Sequence, residues 1–351
     1  MKRNHLFDVY RTISALLIVY LHCSIPGIVG EIIGIYTIIG VLFFFANTGC
    51  FLADSEKLNT KQIRKLGFMF LGTSLFYMVW NITKQIYYSY QYNVENIIYI
   101  IKRYFEYNFS IPFLKKFIFY NETHIVGHTW FIMAMIYSIF IFFFLQSCIK
   151  DRKKRFYIYL VITVILNLSC VLLGAYAPII VGHNVECTKV RNYFFMGLPM
   201  LLFGYCIGQK KTVIKEKITP KYSVLLLCLG LVIMPLEHFI LKQFDLLGIL
   251  GYYLGAYLVI FASFCLAISK QDTVKESWLS VIGRKYSMWI YLIHVWVLDL
   301  LYIVWPKNHN MEKLFSFIGF IVVFGCSFLM AVGIEKVIKC LKYKRNKLKM
   351  S

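Results

Sequence analysis

Charge is scarce in this chain. Only 16% of its 351 residues are Asp, Glu, Lys or Arg, and the acidic ones number 17 against 38 basic. Apolar residues make up 59% and mean hydropathy is +0.65. That composition excludes an ordinary soluble domain and points to a polytopic membrane protein. Other absences narrow the chemistry. There is no Gly-x-Ser-x-Gly elbow, no phosphate-binding loop and no dinucleotide fingerprint, so any catalysis must come from groups inside the membrane. The ten cysteines contain no Cys-x-x-Cys pair. Most fall in apolar segments, where cysteine behaves as a small hydrophobe, and neither a disulfide framework nor a zinc site is indicated. No soluble domain, low-complexity linker or clear internal repeat interrupts the sequence.

What is present is a series of long apolar segments. The length suits about ten helices of roughly 20 residues with short loops. The expected spans are 9–27, 34–53, 66–88, 129–149, 156–175, 192–209, 222–241, 248–269, 286–305 and 314–338. The fold class is therefore all-α, a polytopic membrane helix bundle forming a single domain over residues 1–351. The first span is not a cleavable signal peptide. It carries Arg11 and His22, lacks a small-residue cleavage site and is followed at once by a second span.

The formal net charge of +21 is mostly topology. Assigning the N-terminus, the loops 54–65, 150–155, 209–221 and 270–285, and the residues from 336 onward to one side gives that side 28 of the 38 Lys and Arg, against 10 on the other. The positive-inside rule puts the rich side, and both termini, in the cytoplasm of a multi-pass plasma-membrane protein. The expected partner is the lipid bilayer, not nucleic acid. The basic cytoplasmic tail, 339–351, anchors the last helix and could also meet anionic lipid.

The one long non-spanning stretch, about 89–128, lies on the outer side. Ile97, Ile98, Ile101, Tyr104 and Phe105 recur at helical spacing, as do Phe113, Phe117 and Ile118, with Lys102, Arg103, Lys115 and Lys116 among them. This predicts two short amphipathic helices at the outer face, separated by Pro112. They could cap an outward-open site or merely connect spans. Gly204-x-x-x-Gly208 and Gly251-x-x-x-Gly255 are close-packing patterns within spans.

Five constellations could carry chemistry. Arg11 and His22 lie eleven residues apart in the first span, which brings a helix back to within ~20° of its starting direction, about 16 Å higher. Both then look out of one face, His22 deep in the span. Asp8, one turn before Arg11, is placed to pair with it. Snorkelling anchors are the plain alternative, but ionisable groups inside membrane helices are rare and usually functional. His128, with Trp130, opens the fourth span as a catalytic or orienting residue, or else as part of an aromatic belt. His124 precedes it by four residues, yet no acidic residue completes a His-Glu-x-x-His pattern, so no metal is expected. His294 is a second intramembrane histidine, which either shares a cavity with the first or is satisfied by a neighbouring helix. Arg191-Asn192 opens the sixth span, where it could hold an anionic or polar ligand or act as an anchor. Lys61 and Arg64 could clamp phosphates, or serve as positive-inside anchors.

Taken in order, these segments resemble the acyltransferase-3 family of integral membrane acyltransferases. Phe7-Asp8-Val9-Tyr10-Arg11 resembles that family's Leu-Asp-x-x-Arg opening, and Arg11 to His22 matches its Arg-x10-His motif. The run from Phe43 through Asn47-Thr48-Gly49 to Leu52 resembles its Phe-Phe-x-x-Ser-Gly-Phe-x-Leu segment. His128-Thr129-Trp130-Phe131 is similar to its His-Leu-Trp-Phe, and Tyr291-Leu292-Ile293-His294 to its Tyr-Leu-Ile-His. The resemblance covers nearly the whole chain. It implies an O-acetyltransferase that modifies polysaccharide. An acyl group, usually acetyl, passes from cytoplasmic acetyl-CoA to a hydroxyl of a cell-surface carbohydrate acceptor, with Arg11 and His22 as the essential pair. The family's basic Arg-x-x-Arg element is here Lys61-x-x-Arg64, which keeps the charge and loses one guanidinium fork.

Acyl transfer from a thioester needs a base for the hydroxyl proton and donors for the developing oxyanion. His22 suits the first role, as a base or as a transient acyl carrier. Arg11 would position the donor, and Asp8, His128, Trp130, Arg191 or His294 would orient substrates. A second function fits the same architecture. The membrane domain of vancomycin-resistance serine racemases is similar around His128-Thr129-Trp130-Phe131 and Arg191-Asn192-Tyr193-Phe194-Phe195, which implies serine transport. Pro199 and Pro235 interrupt spans six and seven as a transporter's broken helices would, although no partner half mirrors them.

Overall fold

The computed structural model describes residues 3–55, 57–92 and 96–348. Among them there is no strand. The first part of the chain forms α1 (His5–His22), α2 (Gly27–Ile35), α3 (Thr37–Leu52), α4 (Thr60–Tyr92), α5 (Ile97–Asn108), α6 (Ile111–Tyr120), α7 (Trp130–Cys148) and α8 (Arg152–Gly174). Then follow α9 (Ala177–Val181), α10 (Cys187–Val190), α11 (Leu198–Gln209), α12 (Lys211–Lys217) and α13 (Pro220–Gln243). The last are α14 (Leu254–Ser269), α15 (Trp278–Lys285), α16 (Ser287–Val304) and α17 (His309–Leu348). Among the described residues seven helical stretches are long and apolar enough to cross a membrane: Gly27–Leu52, Thr60–Gln91, Gly127–Cys148, Arg152–Gly174, Pro220–Gln243, Ser287–Val304 and His309–Tyr343. Tyr193–Gln209 and Leu254–Ser269 are apolar but shorter. The 18 residues of α1 carry Asp8 and Arg11. The chain is thus a polytopic helical membrane protein, and each expected span overlaps helix, the eighth starting at Leu254 rather than at residue 248.

Several expected boundaries move. The first span ends at His22, not near residue 27: the Cys23 N–H caps the helix on Tyr20 O, and Pro26 with Gly27, at φ +80°, starts α2 in a new direction. His22 is therefore the last residue of its helix and is exposed, not deep within a span. Pro112 does not separate the amphipathic helices. It sits in the first turn of α6, where a missing N–H costs nothing, and Phe109 and Ser110 make the break. Pro235 lies inside α13, which runs on through it. Pro199 lies in the first turn of α11. Gly251 precedes α14 rather than belonging to a span. The basic tail continues α17 as helix to Leu348, and 349–351 lie outside the described residues.

The described residues form two compact units. Unit 1 takes those of Met1–Phe44, Lys211–Ile240 and Tyr253–Ser351. Here α1 is held from its first turn. Asn4 accepts from Leu6 N and Phe7 N and donates to Ala267 O at 2.7 Å. A Cβ at Gly283 would fall 1.8 Å from Asp8 O, so α15 passes α1 at backbone contact. Thr12 reinforces the crossing by donating to Leu279 O at 2.7 Å. Ala15, Val19, Ile290, Val297 and Val323 pack into the core behind it.

Unit 2 takes the described residues of Phe45–Lys210 and Leu241–Tyr252. Its tightest crossing uses glycines on both helices: a Cβ at Gly49 would fall 1.8 Å from Leu201 O, and one at Gly204 1.8 Å from Ala46 O. Only glycine allows such an approach. Phe142, Tyr159 and Tyr205 stack at its core with ring centroids 5.2–5.8 Å apart, and buried Arg155 donates to the Tyr205 hydroxyl at 3.3 Å.

Candidate functional site

In unit 1, helix α1 links two polar centres. Near its start the buried Asp8 carboxylate accepts from Arg3 Nε at 2.6 Å and from Arg11 at 2.8 Å. The expected Asp8–Arg11 pair is present, with Arg3 as a second partner. An aromatic collar surrounds this end: the Phe7 and Phe264 rings meet at 4.9 Å, and Tyr10 meets Phe43 at 5.9 Å. Because α1 is continuous from His5 to His22, the Arg11 and His22 side chains leave the same face at its two ends.

At the far end His22 and His294 come together, with ring centroids 5.0 Å apart at 55°. The two rings differ in exposure. His294 on α16 is completely buried, and its Nδ1 lies 2.8 Å from Tyr291 O and 3.3 Å from Ile290 O. Carbonyls only accept, so Nδ1 carries the proton and Nε2 is the lone-pair nitrogen of the neutral ring. His22, at the helix end, lines a cavity of about 420 Å³. Cys23, Ser24 and Ser316 share that cavity with Tyr302, Trp305, Phe315, Lys307 and Glu312. The site thus offers an accessible imidazole against a buried one of fixed tautomer, which suits proton transfer to or from a ligand in the cavity.

Unit 2 gathers the other motif residues. His128 sits in the 3₁₀ turn Gly127–Thr129, only 6% exposed, with Tyr77 edge-on at 5.4 Å. The turn is tied by the Thr123 and Thr129 hydroxyls, each donating to Val126 O at 2.9 Å. Arg191 places its guanidinium 5.2 Å from the Trp130 ring centre. Asn192 caps the following turn, a π-helical one (Tyr193–Gly197), by accepting from Phe194 N and Phe195 N. Asn121 joins the two motifs. Fully buried and left-handed at φ +49°, it donates to Trp130 O at 3.2 Å and accepts from Tyr193 N at 2.8 Å. Lys61 and Arg64 are exposed on the first turn of α4 rather than in a loop.

Sequence reasoning passed over Asn121, because a lone Asn in a loop carries no signal, and the cavity residues Trp305, Lys307 and Glu312. It also passed over a buried chain in unit 1. His238 Nδ1 lies 2.7 Å from the Tyr253 hydroxyl, and Nε2 lies 2.8 Å from Glu31. Tyr253 donating to Nδ1 and Nε2–H donating to Glu31 satisfies all three groups. Their signal was present, since Glu31 and His238 are ionisable residues within expected or flanking spans. Among the described residues no group of three His, Cys, Asp or Glu gathers closely enough to hold a metal, and all ten cysteines are free.

A family model described as an acyltransferase domain, that of the acyltransferase-3 family, matches residues 4–332. No curated protein and no solved structure matches the chain.

Proposed function

The chain belongs to the acyltransferase-3 family, and on that footing we propose that it is a membrane-bound O-acyltransferase moving an acyl group, acetyl by default, from cytoplasmic acyl-CoA to a hydroxyl of a cell-surface carbohydrate. The observation that carries this is the accessible His22 imidazole, packed on buried His294 and open to a cavity. His22 removes the acceptor hydroxyl proton as that oxygen attacks the thioester carbonyl carbon. A C–O bond forms, the C–S bond breaks, and coenzyme A leaves as a thiolate that takes up a proton. His294 holds the His22 ring in place and, through Nε2, can share its proton. Arg11, fixed by Asp8 at the other end of the same helix, meets the donor's phosphates or pantetheine arm. The setting is the plasma membrane, with both termini cytoplasmic.

The test uses membrane vesicles carrying the chain, labelled acetyl-CoA and mass spectrometry of surface glycans. His22→Ala at equal abundance is expected to remove the acyl mass. Full acylation by the variant would overturn the assignment. Serine flux without dependence on acyl-CoA would favour transport instead.

A further inference from the structure

The cavity beside His22 has a second wall that the transfer step does not use. Trp305, just after α16, donates its indole N–H to Met311 O at 2.7 Å, and its ring lies 4.8 Å from that of Phe315. Phe315 in turn meets Tyr302 at 5.2 Å. The hydrogen bond and the two ring contacts fix the indole as a preformed flat surface. Lys307 and Glu312 stand on the same cavity. The Lys307 ammonium donates to Tyr302 O at 2.5 Å, which spends one of its three donors. Glu312 is exposed in the first turn of α17.

We infer that this wall is a subsite for one hydroxylated, net-neutral sugar ring, with its C–H face on Trp305 and its hydroxyls bonded by Glu312 and Lys307. What the ring does there rests on the acyl-transfer reading; that it binds does not. Size permits it, since about 420 Å³ falls within the ordinary range of ligand pockets, roughly 300–1,000 Å³. Chemistry selects it. An acyl chain would desolvate Lys307 and Glu312 without replacing their hydrogen bonds. An anionic ligand meets Glu312 and a cationic one meets Lys307, so opposite charges in one cavity disfavour net charge of either sign. Hydroxyls both donate and accept, and so serve both groups. Glu312 and Lys307 are then specificity-determining residues for the acceptor.

The experiment is saturation-transfer NMR on the full chain in lipid nanodiscs without acyl donor. The probes are methyl β-glucoside, methyl β-galactoside and methyl N-acetyl-β-glucosaminide, with methyl β-glucuronide as the charged comparator. At least one neutral glycoside is expected to receive saturation at its ring C–H protons, more strongly than the glucuronide. Trp305→Leu, Glu312→Gln and Lys307→Met should each reduce that transfer at least threefold. Glu312 and Lys307 are exposed, so their variants keep the wild-type melting temperature. No transfer to any neutral probe, undiminished transfer in Trp305→Leu and Glu312→Gln, or equal transfer to the glucuronide would overturn the subsite. His22→Ala separates the two proposals. It is expected to lose acylation while saturation transfer to the ring C–H protons remains detectable. If acylation survives, the transfer assignment fails and the subsite stands; if binding is absent while His22→Ala still abolishes acylation, only the subsite fails.

Discussion

His22 and His128 both stand in sequence motifs, yet they occupy opposite physical settings. His22 ends a helix, faces a cavity with charged and aromatic walls, and packs against a second histidine of fixed tautomer. His128 is buried in a short turn under Tyr77, and its neighbours Thr123, Thr129 and Asn121 hold backbone carbonyls and amides in place. A cavity close to the His128 turn in sequence differs in the same sense. In unit 2, about 270 Å³ in volume, it is walled by Phe70, Leu75, Phe113 and Phe117, with Glu122 and His124 among its few polar groups. A histidine becomes reactive through access to a ligand and a partner that sets its proton, neither of which a motif specifies. Unit 1 opens a cavity beside His22; unit 2 encloses His128 in a frame.

The sharpest way to break this contrast is to remove each imidazole. His22→Ala should lower acyl transfer by about 10²–10⁴-fold, the usual range for a lost acid–base group, with little change in melting temperature because the side chain is exposed. His128→Ala should do the reverse, lowering the melting temperature and reducing acyl transfer by less than tenfold at a permissive temperature. Equal activity losses with unchanged stability in both variants would erase the distinction.

A second contrast lies in the glycine crossings. Gly283→Ala drives a methyl group into Asp8 O, forcing α15 off the segment that holds Asp8 and Arg11. Overpacking of this kind destabilises by about 1–3 kcal/mol. Because α1 carries both Arg11 and His22, the loss should also appear as a raised KM for acetyl-CoA. Gly204→Ala strikes Ala46 O just as closely and should cost comparable stability, measured by thermal unfolding in nanodiscs, while its effect on that KM stays within twofold.

These variants also mark how far the sequence could be read. Apolar run length located the apolar helices, since lipid demands about 20 apolar residues whatever the fold. The Arg11–His22 register followed from helix geometry alone. Helix ends were less legible. Cys23 and Pro26 stop α1 short of its apolar run, and a backbone break carries little hydropathy signal. The Asp8–Arg11 pair was readable because it is local, three residues apart. The His22–His294 contact was readable only as two rare intramembrane histidines, while Trp305, at the end of an expected span, and Lys307 and Glu312, between spans, carried no signal until α16 and α17 brought them to one cavity. Asn121 was invisible for the same reason, since its partners lie 9 and 72 residues away.

Asn121 offers a smaller test. Asn121→Ala strands the half-buried Tyr193 N–H and puts alanine at a positive φ that asparagine tolerates better. An unsatisfied buried group costs about 1–3 kcal/mol, so the melting temperature should fall, with activity loss recoverable on cooling. Asn121→Gly keeps the backbone freedom and loses the same bonds. If glycine restores stability fully, strain rather than hydrogen bonding dominates there.

The smallest effect concerns His124. Its ring lies 3.6 Å from that of Phe113, and burial lowers its pKa below the ordinary imidazole value, against the opposing pull of Glu122 at 3.8 Å. The folded chain therefore favours neutral His124 more than the unfolded chain does. Above the unfolded value, about 6.5, both states are neutral and this group contributes no pH slope. As pH falls below it the unfolded chain takes up the proton first, so stability declines until the folded ring also protonates. Melting temperatures of wild type and His124→Gln between pH 8 and pH 5 should thus diverge only on the acid side, with the wild type falling more steeply. A steeper fall in the variant would mean that the Glu122 pairing outweighs burial, making this turn acid-stabilised rather than acid-sensitive.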